Sequence, residues 1–205
     1  MASDTKEQFL DKAELLFAER GFYGVSIAAI ASELGLTKQA LLHHFGSKEK
    51  IYGEVLKRVS ERYDALYASA DASDPEERFK TFIMDLQQNA GEHTQQTALL
   101  IRELLDNKRR ADTAGTWYLK PFLQRLIGMV QAIPNWQTAS EAEALALVYQ
   151  LLGAMNYFRI SEPTLTQIFG ATTYKELDRT FAPQLERTID AALAARGSQT
   201  RRRRS

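Results

Sequence analysis

The sequence contains no cysteine. That excludes disulfide staples, thiol nucleophiles and cysteine-ligated zinc or iron–sulfur centres, and it fits a reducing compartment, so a cytoplasmic location is expected. Net charge is also missing. With 26 basic and 26 acidic residues, the chain as a whole makes no electrostatic case for nucleic acid, and any such case must rest on where the charges sit. Long hydrophobic runs are absent too: MASDTKEQF has no basic stretch followed by an apolar one, and no uninterrupted apolar run approaches the ~20 residues of a membrane span. Export and membrane insertion are therefore not expected. Histidine is scarce, at three residues, and there is no glycine-rich phosphate loop. No set of nucleophile, base and orienter can be assembled, so neither enzymatic activity nor a cofactor is expected. The adjacent pair His43 and His44 does not suggest a metal site, because neighbouring side chains on a helix diverge by about 100° and no third ligand stands at helical spacing.

What is present is helical periodicity. With 205 residues, 44% of them hydrophobic, the chain can bury a sizeable core as one large domain or two unequal ones. Phe9, Ala13, Leu16 and Phe17 follow the spacing of one helix face, no stretch alternates like a strand, and an all-α fold is predicted. Asp4 and Glu7 read as a capping box for a first helix over about 5–20, ended by Gly21. Ser26 then caps a helix bearing Ile27, Ile30, Ala31 and Leu34, Gly35 turns the chain, and Thr37 caps a second short helix with Leu41 and Phe45 inward. After Gly46 and Ser47, the positions Ile51, Val55, Val59, Tyr63 and Leu66 carry a longer helix over 49–67 that could link two bodies. Further helices are expected near 75–90, 94–107, 113–132, 140–160, 164–169 and 174–196. Asp74-Pro75-Glu76-Glu77 and the Ser140/Glu143 capping box mark two of the starts. Pro183 predicts either a kink or a fresh helix start within the last segment. The tail SQTRRRRS lacks an apolar anchor, and a disordered, solvated segment is expected over 199–205.

Two short helices around a glycine turn are the geometry of a helix-turn-helix. Small Ala31 permits a close crossing, while Leu34, Leu36 and Leu41 with Phe9, Ile30 and Phe45 would bury the elbow. At 100° per residue, Ala40, Leu41 and Phe45 fall on the inner side of the second helix, and Lys38, Gln39, Leu42 and His43 on the outer. In a major groove Leu42 could meet a thymine methyl, Gln39 could pair with an adenine edge, and Lys38 and His43 could serve bases or phosphates. His44 and Lys48 stand one turn apart within reach of a flanking phosphate, and the helix starts after Ser26 and Ser47 favour anions. The bland alternative, a buried three-helix corner with no nucleic-acid role, stays open on periodicity alone.

The stretch from Phe17 to Leu56, FAERGFYGVSIAAIASELGLTKQALLHHFGSKEKIYGEVL, resembles the amino-terminal domain of TetR-family transcriptional regulators. Phe17, Gly21, Phe22, Ser26, Ile30, Ala31, Gly35, Leu36, Leu41, His44, Phe45 and Ser47-Lys48-Glu49 carry the resemblance in register without gaps. It implies an all-helical homodimer in which a helix-turn-helix domain (1–48) binds double-stranded DNA. A larger helical domain (49–198) would bind a small-molecule effector and dimerise. Ser26, Thr37, Lys38, Gln39, Leu42, His43, His44 and Lys48 then fall at DNA-facing positions. The chain departs from the family's pattern where Leu42 replaces a common tyrosine and Gln39 a small residue, which implies an altered operator preference. SEPTLTQIFG looks like the connection before the last helix in many members.

One recognition helix covers few base pairs, so two are needed, about one helical turn (~34 Å) apart on a pseudo-palindromic operator. Leu145, Val148, Leu152, Met155, Leu177, Leu185 and Leu193 exceed what one bundle side needs, and are candidates for a four-helix dimer interface; the alternative is that they fill a monomer core. For an effector pocket the candidates are Phe82, Leu86, Arg102, Trp117, Phe122, Leu126, Tyr149 and Met155, although aromatics and methionines at such spacing are usually core. The expected activity is that of a ligand-responsive repressor. The alternative is a ligand-sensing helical dimer that acts through protein contacts without DNA.

Overall fold

The computed structural model describes residues 2–70, 72–106 and 120–202, which are helical with no strand. The helices are α1 (Ala2–Gly24), α2 (Ile27–Glu33), α3 (Lys38–Phe45), α4 (Lys48–Ser69), α5 (Pro75–Glu92), α6 (Thr94–Asp106), α7 (Lys120–Ala132), α8 (Glu141–Ile160), α9 (Glu162–Phe169) and α10 (Ala171–Arg202), with a 3-10 turn at Pro134–Trp136. None of the described helices is long and apolar enough to cross a membrane. Trp117 and the expected helix start at Thr113 lie outside the described residues.

Several expectations shift by a turn for local reasons. Helix α1 starts at Ala2, which puts Asp4 inside it rather than at its cap, and its regular course breaks at Gly21 (φ 69°, ψ 170°) before a last turn to Gly24. Helix α9 starts at Glu162 rather than near residue 164 and takes Pro163 into its first turn, a position whose N–H has no intrahelical acceptor. Helix α10 passes through Pro183 as one helix without a new start, and continues to Arg202, into the stretch expected to be disordered.

Contacts divide the chain into two units, one from Met1–Arg62 with His93–Tyr118, the other from Tyr63–Glu92 with Leu119–Ser205. This differs from a boundary at residue 48. The first unit is built on α1: Phe9, Leu10, Ala13, Leu16 and Phe17 are buried together with Ile30, Leu41 and the α4 stripe Ile51, Tyr52, Val55, Leu56 and Val59. Helix α6, expected in the carboxy-terminal bundle, packs along α1 in this unit. It carries polar groups inward. The Tyr52 hydroxyl donates to Glu103 Oε2 at 2.6 Å, and Arg102 Nε donates to the Ala18 carbonyl at 2.6 Å. Glu103 is buried, so the bond from Tyr52 offsets part of its desolvation, which costs ~1–3 kcal/mol for a polar group left unpaired; Gln96 and Thr97 are buried on the same helix, and Gln96 Oε1 has no hydrogen-bond partner among the described residues.

The second unit packs the end of α4 with α5, α7, α8 and α10. Tyr63 stacks on Phe122 with ring centres 4.7 Å apart, and Phe82 meets Tyr67 edge-on at 5.8 Å and Phe122 at 6.4 Å. Asp74 starts α5 by accepting the Glu77 N–H at 2.9 Å. At the start of α8, Ser140 Oγ accepts the Glu143 N–H, and Glu143 accepts the Ser140 N–H in return.

Candidate nucleic-acid interface

The local sequence builds α3 from its two ends. Thr37 Oγ1 accepts the Ala40 N–H at 3.1 Å, which satisfies one of the donors that a helix start leaves over. At the far end the Gly46 N–H closes on the Leu42 carbonyl at 2.8 Å. Before it, Ser26 caps α2 through the Ala29 N–H at 3.0 Å. The turn between the helices needs Gly35 at φ +63°, a backbone conformation that side chains with a Cβ rarely adopt.

One side of α3 faces the core. Leu41 is fully buried, and Phe45 stacks on Phe9 with ring centres 4.3 Å apart. Lys38, Gln39, His43 and His44 are exposed and Leu42 is half-buried. A helix of eight residues thus presents a cation, an amide and two imidazoles outward and is held by one aliphatic and one aromatic anchor. Leu36 departs from expectation: at 38% exposure it does not help to bury the elbow, because the turn's hydrogen bond from its N–H to Ala31 O sets its course there.

Lys48 also departs. Its ammonium is turned inward, donating to the carbonyls of Phe22 at 3.0 Å and Val25 at 3.1 Å, and it lies 4.2 Å from the centre of the Phe22 ring. These carbonyls follow the break at Gly21, so Lys48 fastens the α1–α2 connection and keeps only part of its donor capacity. Lys50 was not picked out by the sequence pattern. It is exposed, and its Nζ lies over Gly46 at the end of α3. Ser47 Oγ accepts the Lys50 N–H at 3.2 Å. Beside it, the Glu49 carboxyl is held below its ordinary range by the backbone N–H at the start of α4, and next by Ser47.

The residues proposed for an effector pocket are brought together only in part, and in packed core rather than around open space. Phe82, Leu86, Phe122, Leu126 and Met155 are buried in the packed core of the second unit, while Tyr149 is 47% exposed. Arg102 lies in the first unit on Ala18, and Trp117 falls outside the described residues. Of the dimerisation candidates, Val148, Leu185 and Leu193 are buried within the protomer and so fill its own core, whereas Leu145 and Leu152 are half-buried and Leu177 exposed. The larger exposed apolar side chains nearby are Tyr149, Tyr157, Ile160, Ile168 and Phe169. Open space lies elsewhere in this unit, in a cavity of about 290 Å3 whose walls include Tyr67, Arg78, Arg125, Gly128 and Met129.

Residues 9–55 match the family model of bacterial regulatory proteins, tetR family. The HTH-type transcriptional repressor KstR2 of Rhodococcus jostii (strain RHA1) is 40% identical over 55 residues, 27% of this chain and 27% of that protein. The negative transcriptional regulator IcaR of the biofilm operon icaADBC in Staphylococcus aureus (strain Newman) is 36% identical over 52 residues, 25% of this chain and 28% of that one. The matched stretch thus spans little more than a quarter of either relative. Across nearly the whole length, the fold is that of a TetR-like transcriptional regulator from Rhodococcus sp. RHA1, with a TM-score of 0.68, 22% identity, and coverage of 93% of this chain and 96% of the other.

Proposed function

We propose, on the premise that residues 9–55 belong to the TetR family of bacterial regulatory proteins, that the chain is a cytoplasmic, ligand-responsive DNA-binding repressor. It acts as a homodimer on a pseudo-palindromic operator and is released by a small molecule. The observation that carries this reading is the division of α3. Only Leu41 is fully buried, and the exposed side carries Lys38, Gln39, His43 and His44, the groups that serve phosphates and base edges in a major groove. Gln39 is the base reader and Lys38 the main phosphate contact. Lys48 acts less by direct contact than by fixing the connection that sets α2 and α3 in place.

Each recognition helix reads one half-site, so two copies are needed. The outward sides of α8 and α10, with Tyr149, Leu152, Tyr157 and Leu177, supply the proposed self-complementary surface. An effector opposes DNA through coupled equilibria, with a typical coupling of ~1–3 kcal/mol. Two chain paths suit this coupling: α4 runs from the first unit into the second after Arg62, and α5 passes to α6 at His93. Because α6 is bonded to α1 through Arg102 and to α4 through Glu103, a shift of α6 is transmitted to the helices beneath α3.

The test is a gel shift on the DNA upstream of the protein's own gene. Wild-type protein should retard it, and Gln39→Ala should lose ~1–3 kcal/mol of discrimination between operator and single-base variants at the position it reads. Retardation that is unchanged in both affinity and base preference would remove Gln39 from the reading role. No retardation of any candidate operator by a folded dimer would remove the DNA-binding reading itself.

A further inference from the structure

Two cations converge on one ring in the second unit. The Arg78 guanidinium lies 4.9 Å from the centre of the Tyr67 ring and the Arg125 guanidinium 5.7 Å from it. Both line the cavity of about 290 Å3, together with Gly128, Met129 and Pro75, and among the described residues no acidic side chain lines it. Arg125 is paired with Asp64 through one terminal nitrogen, but its Nε is buried without an acceptor. Arg78 donates from Nε to the Ala70 carbonyl at 3.0 Å, and its terminal nitrogens have no hydrogen bond or ion pair among the described residues. Asp74, a chain neighbour of Pro75, is committed to the start of α5. Among the described residues, one carboxylate therefore answers two guanidiniums around a partly enclosed space.

We propose that this cavity binds a small organic carboxylate, a short-chain or single-ring acid, with its anionic group at Arg78 and Arg125 and its hydrocarbon part against Tyr67 and Met129. The planar fork of a guanidinium matches a carboxylate in two parallel hydrogen bonds. A second anion also offsets the like-charge repulsion that Asp64 leaves half-compensated. The volume is at the small end of ligand clefts, which run from ~300 to ~1,000 Å3, and the apolar wall sets a hydrocarbon-bearing acid above a bare inorganic anion. As the identity of the effector, this rests on the reading given above; as a binding site it stands by itself.

Gly128 supplies a clean test, because a Cβ built there meets nothing within 4 Å. Substitution adds bulk to the open space and removes a helix-interior glycine. The full-length protein is titrated, at matched ionic strength, with sodium benzoate and sodium hexanoate, with the neutral isosteres benzamide and hexanamide, and with inorganic phosphate, by calorimetry and thermal shift. At least one carboxylate should bind saturably, at least tenfold more tightly than its amide and than phosphate. Arg78→Gln should weaken it at least tenfold. Gly128→Leu should abolish binding with an unliganded Tm no lower than wild type, and Gly128→Ala, whose methyl fits the open space, should weaken binding and covers the case in which leucine disturbs the fold. Binding of neither acid, equal binding of acid and amide, equal binding of phosphate, or undiminished binding by Arg78→Gln or Gly128→Ala would overturn the site. A gel shift in parallel separates the two readings: a carboxylate that binds without changing DNA affinity leaves the site standing and removes its effector role, whereas intact DNA binding with no carboxylate bound removes only the site.

Discussion

Two surfaces left uncovered by the chain differ in kind. The outer side of α3 carries Lys38, Gln39, His43 and His44 with one half-buried leucine; around α8 and α9, Tyr157 is 73% exposed, Ile168 65% and Phe169 59%. The first is at ease in water and gains from a partner only where charge meets charge or an amide meets a base edge, so its binding is reversible and salt-dependent. The second holds apolar area that water solvates poorly, and covering it is favourable at roughly 25 cal/mol per Å2. Under the proposed function the chain would pair stably through the second and dock transiently through the first, the division of labour a dimeric regulator requires.

The largest effect is expected from charge placed on the apolar side. Tyr157→Asp combined with Tyr149→Asp should weaken self-association roughly 1,000-fold or more, if each side chain carries the ~2 kcal/mol or above of an interface anchor. Sedimentation measures it, and thermal stability of the isolated chain should change little because both side chains are exposed. An unaltered dimer would place the interface elsewhere. Tyr52→Phe tests the other end, where α6 is tied to α4: with the Glu103 carboxylate deprived of the phenol, stability in urea should drop by about 1–3 kcal/mol. A smaller effect belongs to Lys38→Ala. Operator affinity should fall with little change in base preference, and the slope of log K against log salt should shrink by about one.

The smallest effect concerns pH. Lys80 donates to Asp190, and this hydrogen bond raises its pKa above the ordinary value of 10.5. A raised lysine contributes stability that is complete below the unfolded pKa and is lost as pH rises through the folded one. Wild type should therefore lose slightly more Tm than Lys80→Met between pH 9 and the alkaline side of 10.5. The difference is modest because Asp190 is half-exposed and the pair is screened. Equal alkaline losses in the two proteins would show that the pair adds nothing.

How legible each part was in the sequence follows the range of the forces involved. Ser26, Thr37, Asp74 and the Ser140/Glu143 box were legible because a cap is a hydrogen bond over three residues, written locally. The outward set on α3 was legible because Leu41 and Phe45 fix the helix's rotation. Helix α6 was legible as a helix but its place was not: its attachment to α1 depends on Arg102 finding a backbone carbonyl 84 residues away. Lys48 read as a surface cation because nothing in its own helix announces the Phe22 and Val25 carbonyls. Val148, Leu185 and Leu193 have the spacing of an interface and also that of a core, and only packing tells the two apart. Arg125 had a faint signal, a cation set between Phe122 and Met129 on an otherwise apolar stripe, but its convergence with Arg78 on Tyr67 is tertiary.

Footprinting of the purified protein on its own upstream DNA tests the central claim most directly. Two protected half-sites related by approximate dyad symmetry are expected, with centres about one helical turn apart or a little more, and both should be lost together when Lys38 and Gln39 are replaced by alanine. Protection of a single unsymmetrical stretch, or protection that survives the double replacement, would contradict it.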